Sequence, residues 1–281
     1  MITTLLRVVV LAGVCTAVAR AQTWRTLEAS GVRRDSGDVA VRVDYARGKL
    51  QLASATRAVL YDYRLRYDAT RAHPLISYDS TSRALVIGSE ARTDARTGTD
   101  GRNAGEGVLS LGRSTPLDLA MRLDVATADL DFGGMALRRL SVRSSASEVR
   151  MQFAVPTSVP MEALDLDVGA AMLTASGLAN ANTSRLRVGA RAGGAELRLD
   201  GQWTRDLEMD LDIALGSLII HVPADVGVQL ELRRTFARVD AGGLRQSGDL
   251  YVSDNWDTAT RKVRIRASAT LGKLQLVHAT R

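Results

Sequence analysis

The chain has few of the side chains on which most catalytic sites depend. Its 281 residues include a single cysteine, Cys15, and three histidines, His73, His221 and His278. A serine or cysteine nucleophile needs a base, most often histidine, within hydrogen-bond distance. None of the three histidines stands beside a nucleophile motif or at a metal-ligand spacing. We therefore expect a protein that is not an enzyme and that holds no cofactor and no metal.

Aromatic residues are also scarce, at 4% of the chain, so stacking platforms for nucleic-acid bases are few. The formal net charge is +6, but basic and acidic residues are interleaved, as at Glu196, Arg198 and Asp200. A phosphate-binding tract would need basic residues clustered without acids between them. We therefore expect no nucleic-acid partner.

Residues 1–21 have the pattern of a secretory signal peptide. Arg7 precedes a short apolar run at residues 8–18, and a small-x-small cleavage site ends at Ala21. The run is about half of the roughly 20 apolar residues that a membrane-spanning helix needs. We predict an exported protein, periplasmic or extracellular, without a stable membrane span after cleavage. An uncleaved anchor and lipidation at Cys15 are the alternatives.

Apolar and polar residues alternate along most of the chain after residue 21. Between residues 59 and 67 the odd positions are apolar or aromatic and most even positions are charged. This period of two predicts a β-strand with one buried face. The same pattern recurs in the segments 39–45, 117–125, 149–155, 207–215, 226–232 and 263–267. No window of similar strength has the helical period, so we predict an all-β chain with almost no helix.

A longer repeat runs through the second half, where a strand, a bend of small residues and a second strand form one unit. The units are roughly 22–24 residues apart and begin at residues 117, 141, 165, 187, 210 and, after a wider gap, 264. A fixed period of this length predicts a solenoid whose coils stack about 4.8 Å apart. A sandwich or barrel of short strands is the alternative.

These patterns divide the chain into four predicted parts. They are a signal peptide at 1–21, a smaller N-terminal β region at 22–96, a flexible glycine-rich loop at 97–113 and a C-terminal β-solenoid at 114–281. The loop is predicted because residues 97–107 are rich in Gly, Asp, Asn and Arg, and Ala104 is their only apolar residue.

Pairs of aspartates two residues apart recur in the predicted strands. Such pairs share one face of a strand, where they could contribute oxygen ligands for calcium or the two carboxylates of a polysaccharide-cleaving β-helix. Regular repetition along the strands favours an alternating, solvated surface charge instead. The pairs are Asp129/Asp131, Asp165/Asp167 and Asp210/Asp212.

Two surfaces are candidates for contact with a partner. An exposed edge of the last coil could accept an added strand of an envelope protein; its residues are Leu271, Lys273, Leu274 and Leu276. An anionic envelope polymer or lipid could contact a set of arginines, namely Arg233, Arg234, Arg261, Arg264 and Arg266. We expect Asn180 and Asn182 to cap a coil bend rather than to bind a substrate.

Several segments in order resemble one family. They are VRVDYARGKLQL at 41–52, LRYDATRAHPLISYD at 65–79, the stretch 164–203 and LDIALGSLIIHVPADVGVQLEL at 211–232. The stretch 164–203 includes Gly-Leu-x-Asn at 177–180 and Leu-Asp-Gly-x-Trp at 199–203, and Val-Pro-x-x-Val-Gly-Val lies at 222–228. The chain resembles the bacterial toast-rack envelope proteins, whose C-terminal domain is shared with proteins of the cell-wall-active antibiotic response.

This resemblance implies a single-stranded, right-handed β-helix with a smaller N-terminal β region. It also implies a non-enzymatic envelope protein that acts as a scaffold or interaction module in the cell-envelope stress response. A binding module for an anionic envelope glycan or lipid is the first alternative. A carbohydrate-active β-helix enzyme is the second.

Overall fold

The computed structural model describes residues 23–32, 37–92 and 105–279. The predicted signal peptide lies outside these residues. The described strands are β1 (Trp24–Gly31), β2 (Val39–Ser54), β3 (Tyr61–Asp68), β4 (Ala72–Asp79), β5 (Ala84–Ala91), β6 (Gly105–Leu111), β7 (Leu117–Asp131), β8 (Leu137–Ser144), β9 (Glu148–Gln152), β10 (Ala163–Val168), β11 (Met172–Ser176), β12 (Arg185–Ala190), β13 (Gly194–Arg198), β14 (Leu207–Ile213), β15 (Ser217–Val222), β16 (Val226–Arg234), β17 (Arg238–Asp240), β18 (Leu244–Ser247), β19 (Leu250–Ser253), β20 (Arg261–Ala269) and β21 (Lys273–His278).

The prediction of an all-β chain is confirmed. Within the described part, the only helical element is one 3-10 turn at Leu178–Ala181. No helix formed by the described residues is long and apolar enough to cross a membrane. The strands alternate buried and exposed positions, as β14 does over its whole length. The period of two in the sequence thus gives the strand and its buried face directly.

The predicted solenoid is also confirmed, since each coil contributes one strand to each of two parallel stacks. In the first stack β8 pairs with β10, β10 with β12, and β12 with β14. In the second stack β9, β11, β13 and β15 pair in the same order. The longer strands β2 and β7 run through both stacks. Right-handedness of the coils stays a prediction.

The coils at the C-terminal end do not follow the order of the chain. Strand β20 lies between β14 and β16, and β21 lies between β15 and β17. The chain therefore leaves β15, forms the outermost coil with β16 and β17, and returns to fill the position that it skipped. The hairpin of β18 and β19 folds beside the outermost coil, where β19 runs antiparallel to β16. We call this end of the solenoid the distal end.

The N-terminal β region and the solenoid share one sheet. Strand β2 pairs with β7 from Val39 to Leu52, so the first region supplies a coil of the stack. The flexible loop predicted at 97–113 is wrong over Gly105–Leu111, because these residues form β6 between β2 and β3. The inward positions 105 and 107 are glycines instead of large apolar residues, so the sequence pattern did not indicate a strand. The part at 97–104 lies outside the described residues. The other predicted boundaries stay predictions.

One continuous apolar core runs between the two stacks. It is built from the inward positions of successive coils, such as Leu166, Val188 and Leu211, which lie opposite one another in the parallel register. Parallel in-register pairing places like residues above one another, so leucine, valine and alanine suffice to fill narrow coils. The low aromatic content follows from this geometry.

The motif steps at 177–180 and 199–203 meet at one bend. Asp200 accepts a hydrogen bond from the backbone N–H of Gly177 at 2.9 Å, and the indole N–H of Trp203 donates to the Leu199 carbonyl at 3.0 Å. Gly201 has φ +115°, and a Cβ there would lie 2.8 Å from the Asn180 side chain. The prediction that Asn180 caps a bend is therefore confirmed, because its amide fills the space that Gly201 leaves open.

Candidate interaction surfaces

The histidines do not form one site: His221 and His278 lie one residue out of register on the paired strands β15 and β21 and so face opposite sides, and His73 lies in β4. His221 in β15 lies 3.2 Å from Glu196 in β13, and His278 in β21 lies 3.0 Å from the Val226 carbonyl oxygen. His73 is exposed in β4, opposite Glu90. Among the residues that the structure describes, no group of three or more His, Cys, Asp or Glu side chains could hold a metal ion.

Asp165 and Asp210, from two of the aspartate pairs, take part in a charge ladder across the first stack. Asp165, Arg187, Asp210, Arg266 and Glu231 lie side by side on successive strands and alternate in sign. The Nε atom of Arg266 lies 2.9 Å from Oδ1 of Asp210. Neighbouring strands are about 4.8 Å apart, so the three inner members, Arg187, Asp210 and Arg266, each have an opposite charge on either side. The repeated acids therefore belong to a solvated surface of mixed sign.

The predicted anion-binding arginines do not form one cluster. Arg261 pairs with Val226 at one end of the β20–β16 ladder, and Arg234 pairs with Ala269 at the other. Eight residues separate the two positions, or about 26 Å at 3.3 Å per residue.

The other three arginines of this set have contacts of their own. Arg266 is held by Asp210, Arg233 lies 3.6 Å from Glu231, and Arg264 stacks on the Trp256 ring at 5.4 Å. A single site for an anion that uses all five arginines does not form here. Contact of these five arginines with an anionic envelope polymer or lipid stays a prediction.

The predicted partner edge is wrong as an edge. Strand β21 pairs with β15 from Lys273 to His278, and with β17 from Lys273 to Gln275. Leu274 and Leu276 are buried in the core. The last strand of the sequence is not the last strand of the stack, because the chain returns to an inner position. Leu271 and Lys273 nevertheless remain exposed.

A groove of about 850 Å³ runs along the bends that join the two stacks. Its floor consists of small residues, including Ala171, Gly193 and Gly216, one from each successive coil. One wall is formed by the middle residues of the bends and the other by the first residues of the second-stack strands. Glu148 is the only carboxylate among the described residues that line this groove, and it pairs with Arg150.

At the distal end the bend wall becomes apolar and exposed. Leu215, Leu271 and Phe236 are the middle residues of three successive bends, and 63%, 55% and 76% of their surfaces are exposed. The backbone N–H of Leu271 donates to the Ala214 carbonyl, and that of Phe236 to the Thr270 carbonyl, both at 2.8 Å. These bonds stack the three bends directly, so the side chains form one row.

The opposite wall of the groove is cationic at the same level. Lys273 of β21 and Arg238 of β17 lie opposite each other in parallel register. Both are exposed and line the groove. We call these five residues, Leu215, Leu271, Phe236, Lys273 and Arg238, the distal bend patch.

Sequence reasoning identified two members of this patch, Leu271 and Lys273, and missed the other three. Phe236 and Arg238 lie 35 residues before them in the chain, and pairing with the inner coil brings them together. A usable signal was present in the repeated Leu-Gly step at 215–216 and 271–272, which places a leucine on a bend where small residues prevail.

The N-terminal part of the chain, which supplies β1 to β9, is similar to a known protein family. Residues 22–155 match the family model described as the N-terminal domain of toast_rack, DUF2154. No curated protein matches the sequence.

Two solved structures of bacterial proteins are similar in fold. A "putative cell adhesion protein" from Clostridium sporogenes has 12% identity and a TM-score of 0.52, covering 92% of this chain and 100% of that chain. A "putative adhesin" from Bacteroides fragilis has 7% identity and a TM-score of 0.44, with 92% and 98% covered. The first likeness shows the fold alone.

Proposed function

Because residues 22–155 match the family model for the N-terminal domain of toast_rack, we propose that the chain belongs to this family and is an exported, non-enzymatic envelope protein that serves as a scaffold or interaction module. The observation that carries this proposal is the row of Leu215, Leu271 and Phe236. Large apolar side chains exposed side by side mark surfaces that contact another molecule. A stack of paired coils holds such a row rigidly, as solenoid proteins do for extended binding surfaces.

Export is supported by the pattern of residues 1–21, with Arg7 before a short apolar run. We propose a periplasmic or extracellular location for the folded part. Fusion of residues 1–30 to alkaline phosphatase, which is active only after export, tests this. We expect high activity, and loss of activity when Val9 and Leu11 are both changed to Asp. Equal activity of the two fusions would reject the signal peptide.

A link to the cell-envelope stress response is the finer part of the proposal, and the toast_rack relationship supports it. Deletion of the gene in its host should change the transcription of a cell-wall stress reporter after exposure to a cell-wall-active antibiotic. Complementation with the intact chain should restore the response, whereas a chain with Phe236→Ser and Leu271→Ser should not. An unchanged reporter in the deletion strain would refute this role.

The enzyme alternative receives no support from the groove. A glycoside hydrolase of the usual kind needs two carboxylates that flank the scissile bond, and Glu148 is alone among the described lining residues and paired with Arg150. The other alternative, a module for an anionic glycan or lipid, is favoured by one observation. Lys273 and Arg238 are adjacent cations without an ion pair to any described residue.

A further inference from the structure

The distal bend patch combines exposed apolar side chains with exposed cations that form no ion pair with a described residue. Its apolar members stand on the outer corner of three stacked bends, with Phe236 exposed over 76% of its surface. Its cations come two residues after the apolar side chains, as Lys273 does after Leu271 and Arg238 after Phe236. Each of the two outermost coils therefore presents one apolar and one cationic side chain across the groove.

The cations of this patch differ from the other arginines on the second stack. Arg150 contacts Asp129 and Glu148, and Arg198 contacts Glu196 at 2.8 Å. Lys273 and Arg238 lie opposite each other instead, and like charges in that position repel. An anionic partner would remove this repulsion.

Further charges near the patch keep the local excess positive. Arg234 lies two residues before Phe236, is exposed, and has no ion pair with a described residue. Asp240 is the acidic neighbour, on the same face of β17 as Arg238. Phe236 thus stands between Arg234 and Arg238 with one acid close by.

We propose that the distal bend patch docks this protein on a membrane surface that contains anionic phospholipid. Phe236, Leu271 and Leu215 enter the boundary between headgroups and acyl chains, while Lys273, Arg238 and Arg234 contact the phosphates. Peripheral proteins combine apolar insertion and cationic attraction in this way. The inference rests on the proposed function, since only an exported envelope protein meets this surface from outside the cytoplasm.

Two other occupants fit less well. A soluble anionic glycan would contact the cations but would gain nothing from Phe236 and Leu271. An added peptide strand would pair with the free side of β17, which has only three residues, Arg238–Asp240, and would not require the cations. The juxtaposition of exposed apolar and unpaired cationic side chains favours a lipid surface.

Sedimentation with vesicles tests the proposal with the chain from residue 22 to 281. Vesicles of equal parts phosphatidylglycerol and phosphatidylcholine should bind it at least tenfold more tightly than pure phosphatidylcholine vesicles, and 0.5 M salt should weaken this binding. The double variants Phe236→Ser with Leu271→Ser and Arg238→Gln with Lys273→Gln should each lose at least tenfold in affinity. Asp240→Asn should bind two- to threefold more tightly.

Matched controls use exposed residues elsewhere. Val108→Ser in β6 and Arg187→Gln in β12 remove an exposed apolar and an exposed cationic side chain, and should bind within twofold of the unchanged chain. Equal melting temperatures would show that the variants are folded. Insertion is read directly from Phe236→Trp, whose added fluorescence should shift to shorter wavelength and be quenched by brominated lipid, whereas that of Val108→Trp should not.

Binding that ignores phosphatidylglycerol, or that survives both double variants, would overturn the proposal. Binding to soluble dextran sulfate that depends on the cations but not on Phe236 would assign the patch to an anionic glycan and also overturn it. The vesicle experiments test only the membrane proposal, so their failure does not contradict the proposed function. The proposed function is contradicted if the phosphatase fusion is not exported and the stress reporter does not respond.

Discussion

The side-chain amide of Asn180 donates a hydrogen bond to the carbonyl oxygen of Phe153 on the neighbouring coil, at 2.8 Å. Its Oδ1 atom accepts from the backbone N–H of Gln202 on the coil at the other side, at 2.7 Å. One buried asparagine therefore satisfies backbone groups on two coils and links three bends. The amide is suited to this role because it carries a donor and an acceptor at once.

Replacement of Asn180 by leucine should destabilise the protein by about 2–4 kcal/mol. Two backbone groups would lose their partner, and each buried unsatisfied group costs about 1–3 kcal/mol. Urea unfolding followed by circular dichroism measures the loss. Asn182→Gly on the same bend is the control, since its φ of +50° suits glycine, and it should change stability by less than about 0.5 kcal/mol. Equal effects of the two changes would contradict the role of Asn180.

Glycine on the groove floor is required by close contact between coils. A Cβ on Gly193 would lie 2.0 Å from the Ala171 carbonyl oxygen, whereas one on Gly189 would meet only the Asp167 side chain, at 3.7 Å. Gly193→Ala should therefore cost about 2–3 kcal/mol because backbone must move. Gly189→Ala, on the preceding strand of the same coil, should be neutral or stabilise by about 0.5 kcal/mol. Thermal denaturation of both variants measures this difference, and an equal loss of stability in the two would contradict the close contact at Gly193.

Two buried tyrosines should respond in opposite directions to loss of the hydroxyl. Tyr45 donates to the Lys49 carbonyl at 2.8 Å, whereas the Tyr63 hydroxyl has no hydrogen-bond partner among the described residues. Tyr45→Phe should destabilise the protein by about 1 kcal/mol, and Tyr63→Phe should stabilise it by about 1 kcal/mol. Denaturant midpoints at pH 7 measure both changes. A loss of stability in Tyr63→Phe would show that the hydroxyl has a partner.

The same tyrosines predict a loss of stability in alkali. Burial raises the pKa of Tyr45 and of Tyr63 well above the ordinary value. Both side chains remain neutral in the folded state while the unfolded chain loses its protons near pH 10. The stabilisation that comes from keeping these two hydroxyls neutral is therefore complete below about pH 10, and it is lost as the pH rises further. Between pH 8 and 11 the melting temperature should fall less steeply with pH for Tyr63→Phe than for the unchanged chain. The same fall in both proteins would show that Tyr63 does not cause the loss of stability in alkali.

The charge ladder should respond to a reversal of sign at one position. Asp210 lies between Arg187 and Arg266, so Asp210→Lys places three cations in a row. We expect a loss of about 1 kcal/mol at low salt, which 0.5 M salt should largely remove. Asp212→Lys is the control, because its neighbours are Gly189 and Ser268. A loss at Asp210 that is independent of salt would show that packing, not charge, is responsible.

The sequence predicts individual strands well where burial follows the period of two. Strand β14 is an example, since its apolar residues Leu207, Met209, Leu211 and Ile213 are all buried. The prediction from the sequence fails at β6, because the glycines at 105 and 107 and Glu106 between them resemble a loop. There, pairing with β2 and β3 imposes an extended backbone on residues whose own preferences are weak.

The candidate site was predictable only in part. The exposed positions of Leu271 and Lys273 follow from the bend and the alternation of β21. Their contact with the coil of Phe236 and Arg238 does not, because any parallel strand of similar pattern offers the same backbone groups for pairing. The predicted edge at β21 is wrong for the same reason.

The sequence by itself determined the all-β class, the buried face of most strands, the coil period and the bends, because these depend on residues that are near one another in the chain. The tertiary structure decided the order of the coils at the distal end. Parallel pairing does not depend on chain order, so the segment from β16 to β19 passes outside and β20 and β21 close the gap. That choice places Lys273 opposite Arg238 and Leu271 beside Phe236, and so creates the distal bend patch.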